Sequence, residues 1–330
     1  MSPPSEVSPA DQASLPRPLT AVTAIAALFL GILAVSFAAI FVRISEQDLG
    51  PYATISHRFW IAALALSIGL GGQSSLGQSV SLGQSLGSLG RSQWGLLILA
   101  GLISGVDLCV WATSLTQTSV ANAAVLGNLA PLFTALGTWL LWKQRFDPRF
   151  LVGLAVALAG ALTIGLQDFQ LLPGQVRGDG LALLSAVFFS AYLLTIEQLR
   201  SRLTTPLILL VCSGVAALVS GAISLGLEDH FWPQSPLGWG AVIGLGLISQ
   251  TLGQGLVAYS LSQLSSGLVS VTFLLEPVVA AIFAWILFGE SLGLLNGLGF
   301  ALVIVGVYLA IMSQTEPTGT SAKAAIADVE

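Results

Sequence analysis

The sequence predicts an all-α membrane protein of ten transmembrane helices, built as two inverted-topology five-helix repeats. Three observations carry this. Hydrophobic residues make up 55% of the 330-residue chain and charged residues only 8%, against about 25% charged in soluble domains, and mean hydropathy is +0.88. Ten apolar runs reach or approach the ~20 residues a bilayer-crossing helix needs. The chain also matches itself at a shift of 146 residues, the mark of an internal repeat.

Residues 1–19, rich in Pro and Ser with scattered acids, read as a disordered tail and not as a signal peptide, which would need a basic start and an apolar core. The first repeat covers 20–167, with helices at about 20–42, 52–71, 94–115, 119–142 and 149–167. Its loop 72–92 is an imperfect SLGQS repeat and reads as a flexible, low-complexity linker. The second repeat covers 179–312, with helices at about 179–199, 206–226, 237–261, 267–288 and 293–312. The polar stretch 313–330 reads as a second disordered tail. Lys and Arg in short loops set orientation. With the N-terminus inside, that side carries Arg17, Arg91, Lys143, Arg145, Arg149, Arg200, Arg202 and Lys323; the other carries Arg43, Arg58 and Arg177. The imbalance places both termini in the cytoplasm and the protein in the cell (inner) membrane as a multi-pass protein.

The self-match is not a by-product of apolar composition, because it aligns rare residues together. SLTQTS (114–119) falls on SLSQLS (260–265), Pro131 on Pro277, Trp139 on Trp285, Gly153 on Gly299 and Gly160 on Gly306. The register holds from 114 to 162 without a gap, with about a quarter of the positions identical. Five helices per unit is odd, so the second copy enters the membrane from the opposite side. Such inverted repeats typify secondary transporters that bind substrate near mid-membrane.

ANAAVLGNLAPLFTALGTWLLWKQRF (121–146) and GLVSVTFLLEPVVAAIFAWILFGESL (267–292) resemble the paired signature of the drug/metabolite transporter (DMT) superfamily, in its EamA-like branch. There the fourth and ninth helices carry a mid-helix proline and commonly end in Gly-Glu. The resemblance implies a ten-helix permease with a cavity lined mainly by helices 1, 3, 4, 6, 8 and 9. It implies a secondary, non-ATP exporter of a small polar or amphipathic metabolite, amino-acid-like compounds foremost, working by alternating access. The alternative is an uncoupled facilitator or channel. Two departures stand out: the first copy has Lys143-Gln144 where the second has Gly289-Glu290, and Ala130 where the second has Glu276.

Ionisable and amide groups inside a bilayer are costly and mark sites by default. Asp107 lies mid-helix with Ser104, Trp111 and Ser114 on its face. Glu276 precedes Pro277, whose missing N–H kinks the helix, as Pro131 does in the first copy. The candidate substrate-binding set is Asp107, Trp111, Asn128, Gln250, Gln254, Tyr259 and Glu276, with Asp107 and Glu276 as the proton-coupling candidates. Asn122, Ser185, Ser190 and Tyr192 read as either helix-interface or substrate groups. Arg58 and Arg43 read as snorkelling to the membrane surface, with carboxylate binding at the cavity mouth as the alternative for Arg43; Gln117 and Gln263 as loop geometry; Glu290 as a surface cap. Cys109 and Cys212 read as small buried hydrophobes. With only two His, no DDxxD-type acid cluster and no GxxxxGK[ST], the chain is expected to be neither an enzyme nor an ATP-driven pump, and to need no metal or other cofactor. Its scattered 11 Lys and Arg form no basic stripe for nucleic acid. The partners expected are a small-molecule metabolite and the lipid bilayer.

Overall fold

The computed structural model describes residues 18–75, 86–87, 89–118, 120–165, 176–288 and 293–315. The expected disordered tails and linker, and Glu290, fall largely outside them. Nine helices among the described residues are long and apolar enough to cross a membrane, and Pro148–Ile164 is a shorter apolar one. Segment α1 joins Pro18–Ser36 to Ala38–Ser45 across Phe37; α2 is Pro51–Ser75 and α3 Arg91–Leu115. Segment α4 joins Val120–Gly127 to Ala130–Trp142, followed by α5, Pro148–Gly165, α6, Val176–Arg200, and α7, Thr205–Leu227. Segment α8 runs through Pro236–Gly244, a π-helical stretch Leu245–Gly253 and Gln254–Ser260. Segment α9 joins Ser266–Thr272 to Glu276–Phe288 through the 3-10 turn Phe273–Leu275, and α10 is Leu294–Thr315. Large apolar side chains such as Ile68, Leu141 and Leu218 lie exposed on the outside, a surface suited to lipid rather than water.

The two prolines act as their chemistry dictates. Pro277 has no N–H for the Phe273 carbonyl. That carbonyl instead accepts from the Glu276 N–H, which tightens the chain into the 3-10 turn before the second half of α9. In α4 the break falls at 128–129, just before Pro131, where Leu129 N–H donates to the Leu126 carbonyl at 3.1 Å. The second half of α4 ends at Lys143, which takes a left-handed φ of 55°. That backbone costs a non-glycine residue about 1 kcal/mol, partly offset by the Lys143 ammonium 5.2 Å from the Trp139 ring centre. It is the position where the second copy has Gly289.

The repeat shows in reciprocal contacts. A Cβ on Gly153 would lie 2.7 Å from the Gly306 carbonyl oxygen, and one on Gly160 would lie 2.7 Å from that of Gly299. Gly153 corresponds to Gly299 and Gly160 to Gly306, so each contact is the other's mate, as a two-fold axis between α5 and α10 requires. Away from that axis, Gly101 of α3 packs on Cys212 of α7, while Gly246 of α8 packs on Arg58 and Ile61 of α2. The two halves thus share a scaffold but place different chemistry on it, a cysteine in one and an arginine in the other. The matching turns at Gln117 and Gln263 are alike too: both side chains are exposed, and both N–H groups bond back three residues, to Ser114 and Ser260.

Side chains tie one end of the bundle together. Glu228, after α7, caps the start of α2, accepting from Tyr52 N at 2.8 Å, Ala53 N at 2.7 Å and Ser224 Oγ at 2.7 Å. A carboxylate there satisfies orphan amides and suits the positive end of the helix. Asp48 does the same before α8, accepting from Gln234 N, Ser235 N and Ser235 Oγ; the Ser235 amide holds its carboxyl below the usual carboxylate range. The hydroxyls of Tyr52 and Thr113 are 2.6 Å apart, and Asp179 of α6 accepts from Thr118 and Asn122. Glu228→Ala leaves two amides uncapped and is expected to cost about 1–2 kcal/mol, read as a lower melting temperature in detergent. Glu228→Gln, which keeps an acceptor oxygen, is expected to lose less.

Candidate functional site

Helices α2, α3, α6 and α8 enclose a small cavity. Arg58 of α2, Ser104, Asp107 and Leu108 of α3, Phe189 and Tyr192 of α6, and Gln250 and Gln254 of α8 line it. Asp107 lies eight residues before the end of α3, and Arg58 seven residues into α2. At ~1.5 Å per residue these are depths of about 12 and 10 Å, well inside a hydrocarbon core of ~30 Å.

Each wall has a local cause. Gly246 lets α8 press directly on the Arg58 backbone, which brings the guanidinium and Gln250 within reach. The π-helical stretch of α8 spans Gln250 and closes with the Gln254 N–H on the Ser249 carbonyl; Thr251 Oγ1 donates to the Gly246 carbonyl at 2.8 Å. Such insertions recur at functional sites because they re-aim side chains, and here Gln250 and Gln254 both reach the cavity. Arg58 Nε donates to Gln250 Oε1 at 2.7 Å, and Ser185 Oγ donates to Asp107 Oδ1 at 2.5 Å. Arg58, Asp107, Gln250 and Gln254 are all at most 8% exposed. Gln254 Oε1 is buried with no hydrogen-bond partner among the described residues, a costly state that a ligand group would relieve.

Glu276 stands apart. It is half-buried on α9 and does not line the cavity, but its carboxyl group, like that of Asp107, acts electrostatically on Arg58. One cation therefore lies within electrostatic reach of two carboxyl groups. If both acids are ionised, one negative charge is left over, which a proton or a cationic substrate group can balance.

The structure sorts the expected residues. It brings together Asp107, Gln250 and Gln254, with Glu276 close enough to act on their Arg58 neighbour. Trp111 and Asn128 are half-buried and do not line the cavity; Asn128 sits at the break in α4. Tyr259 is 44% exposed near the opposite end of α8 and does not line the cavity, whose apolar side chains include Leu108 and Phe189. Arg58 is corrected. It does not snorkel to the surface but lies in the core, because α8 covers it and Gln250 engages it. Arg43 is exposed. Asn122 and Ser190 are interface groups, bonded to Asp179 and Thr134. Cys109 and Cys212 are free and buried.

The cavity has a volume of about 30 Å³, enough for about two waters. Metabolite pockets are on the order of 300 Å³ or more, so the cavity as it stands is too small for a metabolite.

Known proteins fit this architecture. The chain is 28% identical over 218 residues to the pseudopaline exporter CntI of Pseudomonas aeruginosa, covering 66% of this chain and 75% of that protein. It is 26% identical over 285 residues to an uncharacterized transporter of Archaeoglobus fulgidus, covering 83% and 92%, and 24% identical over 310 residues to the uncharacterized transporter YcxC of Bacillus subtilis, covering 90% and 96%. A crystal structure 23% identical in sequence superposes with a TM-score of 0.75 over 88% of this chain and 97% of the other, which shows the shared fold. The EamA-like transporter family is matched twice, over residues 22–166 and 176–312. With one match on each five-helix repeat, the chain belongs to the EamA-like transporter family.

Proposed function

We propose that the protein is a secondary exporter of a small polar or amphipathic metabolite, amino-acid-like compounds foremost, working by alternating access around the Arg58–Asp107 cavity. The observation that carries this is the cavity itself: an arginine, an acid and two amides buried near mid-membrane, on an inverted-repeat scaffold. A purely structural core has no need of such groups, since replacing buried ion pairs by apolar side chains is often neutral or stabilising. The side-chain ties at Glu228, Asp48 and Tyr52 lie at one end of the bundle, and opening there must break them. With both termini in the cytoplasm, that end faces outward and the described form is closed to the outside.

Counterflow of a labelled metabolite panel in proteoliposomes tests the reading. Exchange of at least one small polar compound is expected, together with accumulation against its gradient when a pH gradient is imposed. An uncoupled facilitator would equilibrate but never concentrate its substrate. Single cysteines placed in the two tails, probed from each side of sealed cells, test the orientation.

A further inference from the structure

We infer that Arg58 is the receptor for a carboxylate of the substrate, and that Gln250 is the partner it holds while the site is empty of that group. The inference rests on the central cavity being the transport site. Its ground is an imbalance in hydrogen bonding. A guanidinium has five N–H donors in a planar fork. Arg58 spends one, from Nε, on Gln250 Oε1. Among the described residues no ion pair and no other hydrogen bond engages it, although it is 8% exposed and lines the cavity. Asp107 and Glu276 act on this cation without forming an ion pair with it, so the rest of the fork is open to a ligand, and a carboxylate matches it with two parallel bonds.

The rest of the cavity narrows the class. Gln254 Oε1 is buried, has no partner among the described residues and lines the same space. Asp107 gives one oxygen to Ser185 and has a second. Both are acceptors, so both call for N–H donors on the ligand. Asp107 and Glu276 also bring negative charge toward Arg58, which disfavours a dianion such as a phosphate ester. A ligand with one carboxylate and one ammonium answers all of these groups, its carboxylate on Arg58 and its ammonium on Asp107 and Gln254. The class assigned is an α-amino acid or a compound with that zwitterionic head.

The test compares matched probes in proteoliposome counterflow: labelled L-serine, L-leucine and L-phenylalanine, their carboxamides, and the amines lacking the carboxyl group. Wild-type protein is expected to prefer at least one acid over its amide by at least about tenfold in kcat/KM, the scale of a charge-assisted contact. Arg58→Gln should bring that ratio to about one, while Arg58→Lys should keep part of it. A merely structural arginine would change acid and amide flux alike and leave the ratio intact. Gln250→Ala, which removes the resting partner, should lower KM for the acid relative to the amide, and it carries the test if Arg58→Gln is not monodisperse. The assignment is overturned if amides or simple amines move as well as acids, if Arg58→Gln keeps the ratio, or if Gln250→Ala shifts both probes equally; in each case the transport reading stands. Absence of counterflow for every probe, with an unrelated metabolite still exchanged, also overturns the assignment alone. Absence of any exchange across the full metabolite panel overturns the transport reading with it.

Discussion

In reconstituted protein, Asp107→Asn combined with Glu276→Gln is expected to abolish accumulation driven by a pH gradient, by at least about tenfold, while exchange of substrate down its own gradient persists. The size follows from coupling arithmetic: one proton moved across one pH unit is worth about 1.4 kcal/mol, a tenfold concentration ratio. The two acids are the carboxyl groups that act on Arg58, so without them the site has no group suited to take up and release a proton. Both changes keep the side-chain shape. The asparagine retains an oxygen that can accept from Ser185, whose hydroxyl lies 2.5 Å from Asp107 Oδ1, so the cavity wall survives and loss of flux is not loss of fold. The single variants order the two acids. Asp107 lines the cavity and Glu276 does not, so Asp107→Asn alone is expected to remove most of the coupling. Equal pH-driven flux in the double variant and the wild type, measured on monodisperse protein, would show that these acids carry no proton.

What the sequence disclosed and what it hid divide along a physical line. Segment existence depends on local hydropathy, and the breaks in α4 and α9 depend on a missing N–H at Pro131 and Pro277; both are local, and both were legible. Asp107, Gln250 and Gln254 were legible as costly groups, since polarity in an apolar run is itself the signal. Arg58 was not. A long cationic side chain seven residues into a helix can reach the surface or stay inside, and the choice depends on what covers it. The cover is α8, nearly two hundred residues away in sequence, drawn in at Gly246. The position of Tyr259 outside the cavity was hidden for a related reason: a run of polar residues along α8 does not show at which depth the cavity ends. Gln250 and Gln254 are four residues apart, so helical periodicity already places them on one face; the π-helical stretch that contains Gln250 was not legible. Gly246 was the available hint for Arg58, because it matches Gly101 in the first repeat and marks a close approach in both.

Gly306→Leu is expected to leave no monodisperse protein, and Gly306→Ala to lower the melting temperature markedly. A Cβ at this position would press on the backbone nitrogen and Cα of Ala157 and on the carbonyl oxygen of Gly153. None of these is the tip of a flexible side chain, so the only relief is to move α10 away from α5. In membranes such close contact is itself the driving force, since lipid supplies no hydrophobic effect between helices and association relies on packing of small residues. Overpacking of this kind costs about 1–3 kcal/mol for a single methyl-scale insertion and more for a branched side chain. The two-fold relation doubles the forecast: Gly160, the mate of Gly306, meets the backbone nitrogen of Val303 and the carbonyl oxygen of Gly299, so Gly160→Ala should cost about as much. Gly297 is the control. It lies on the same helix, with nothing within 4 Å of the point where a Cβ would stand, and an alanine there should be neutral or stabilise by up to about 1 kcal/mol through helix propensity. If Gly297→Ala and Gly306→Ala shift the melting temperature equally, helix propensity and not close approach governs this interface, and the two-fold packing of α5 on α10 is wrong. If only Gly306→Ala and Gly160→Ala are damaging, the repeated glycines hold the two halves together at a seam whose helices do not line the cavity.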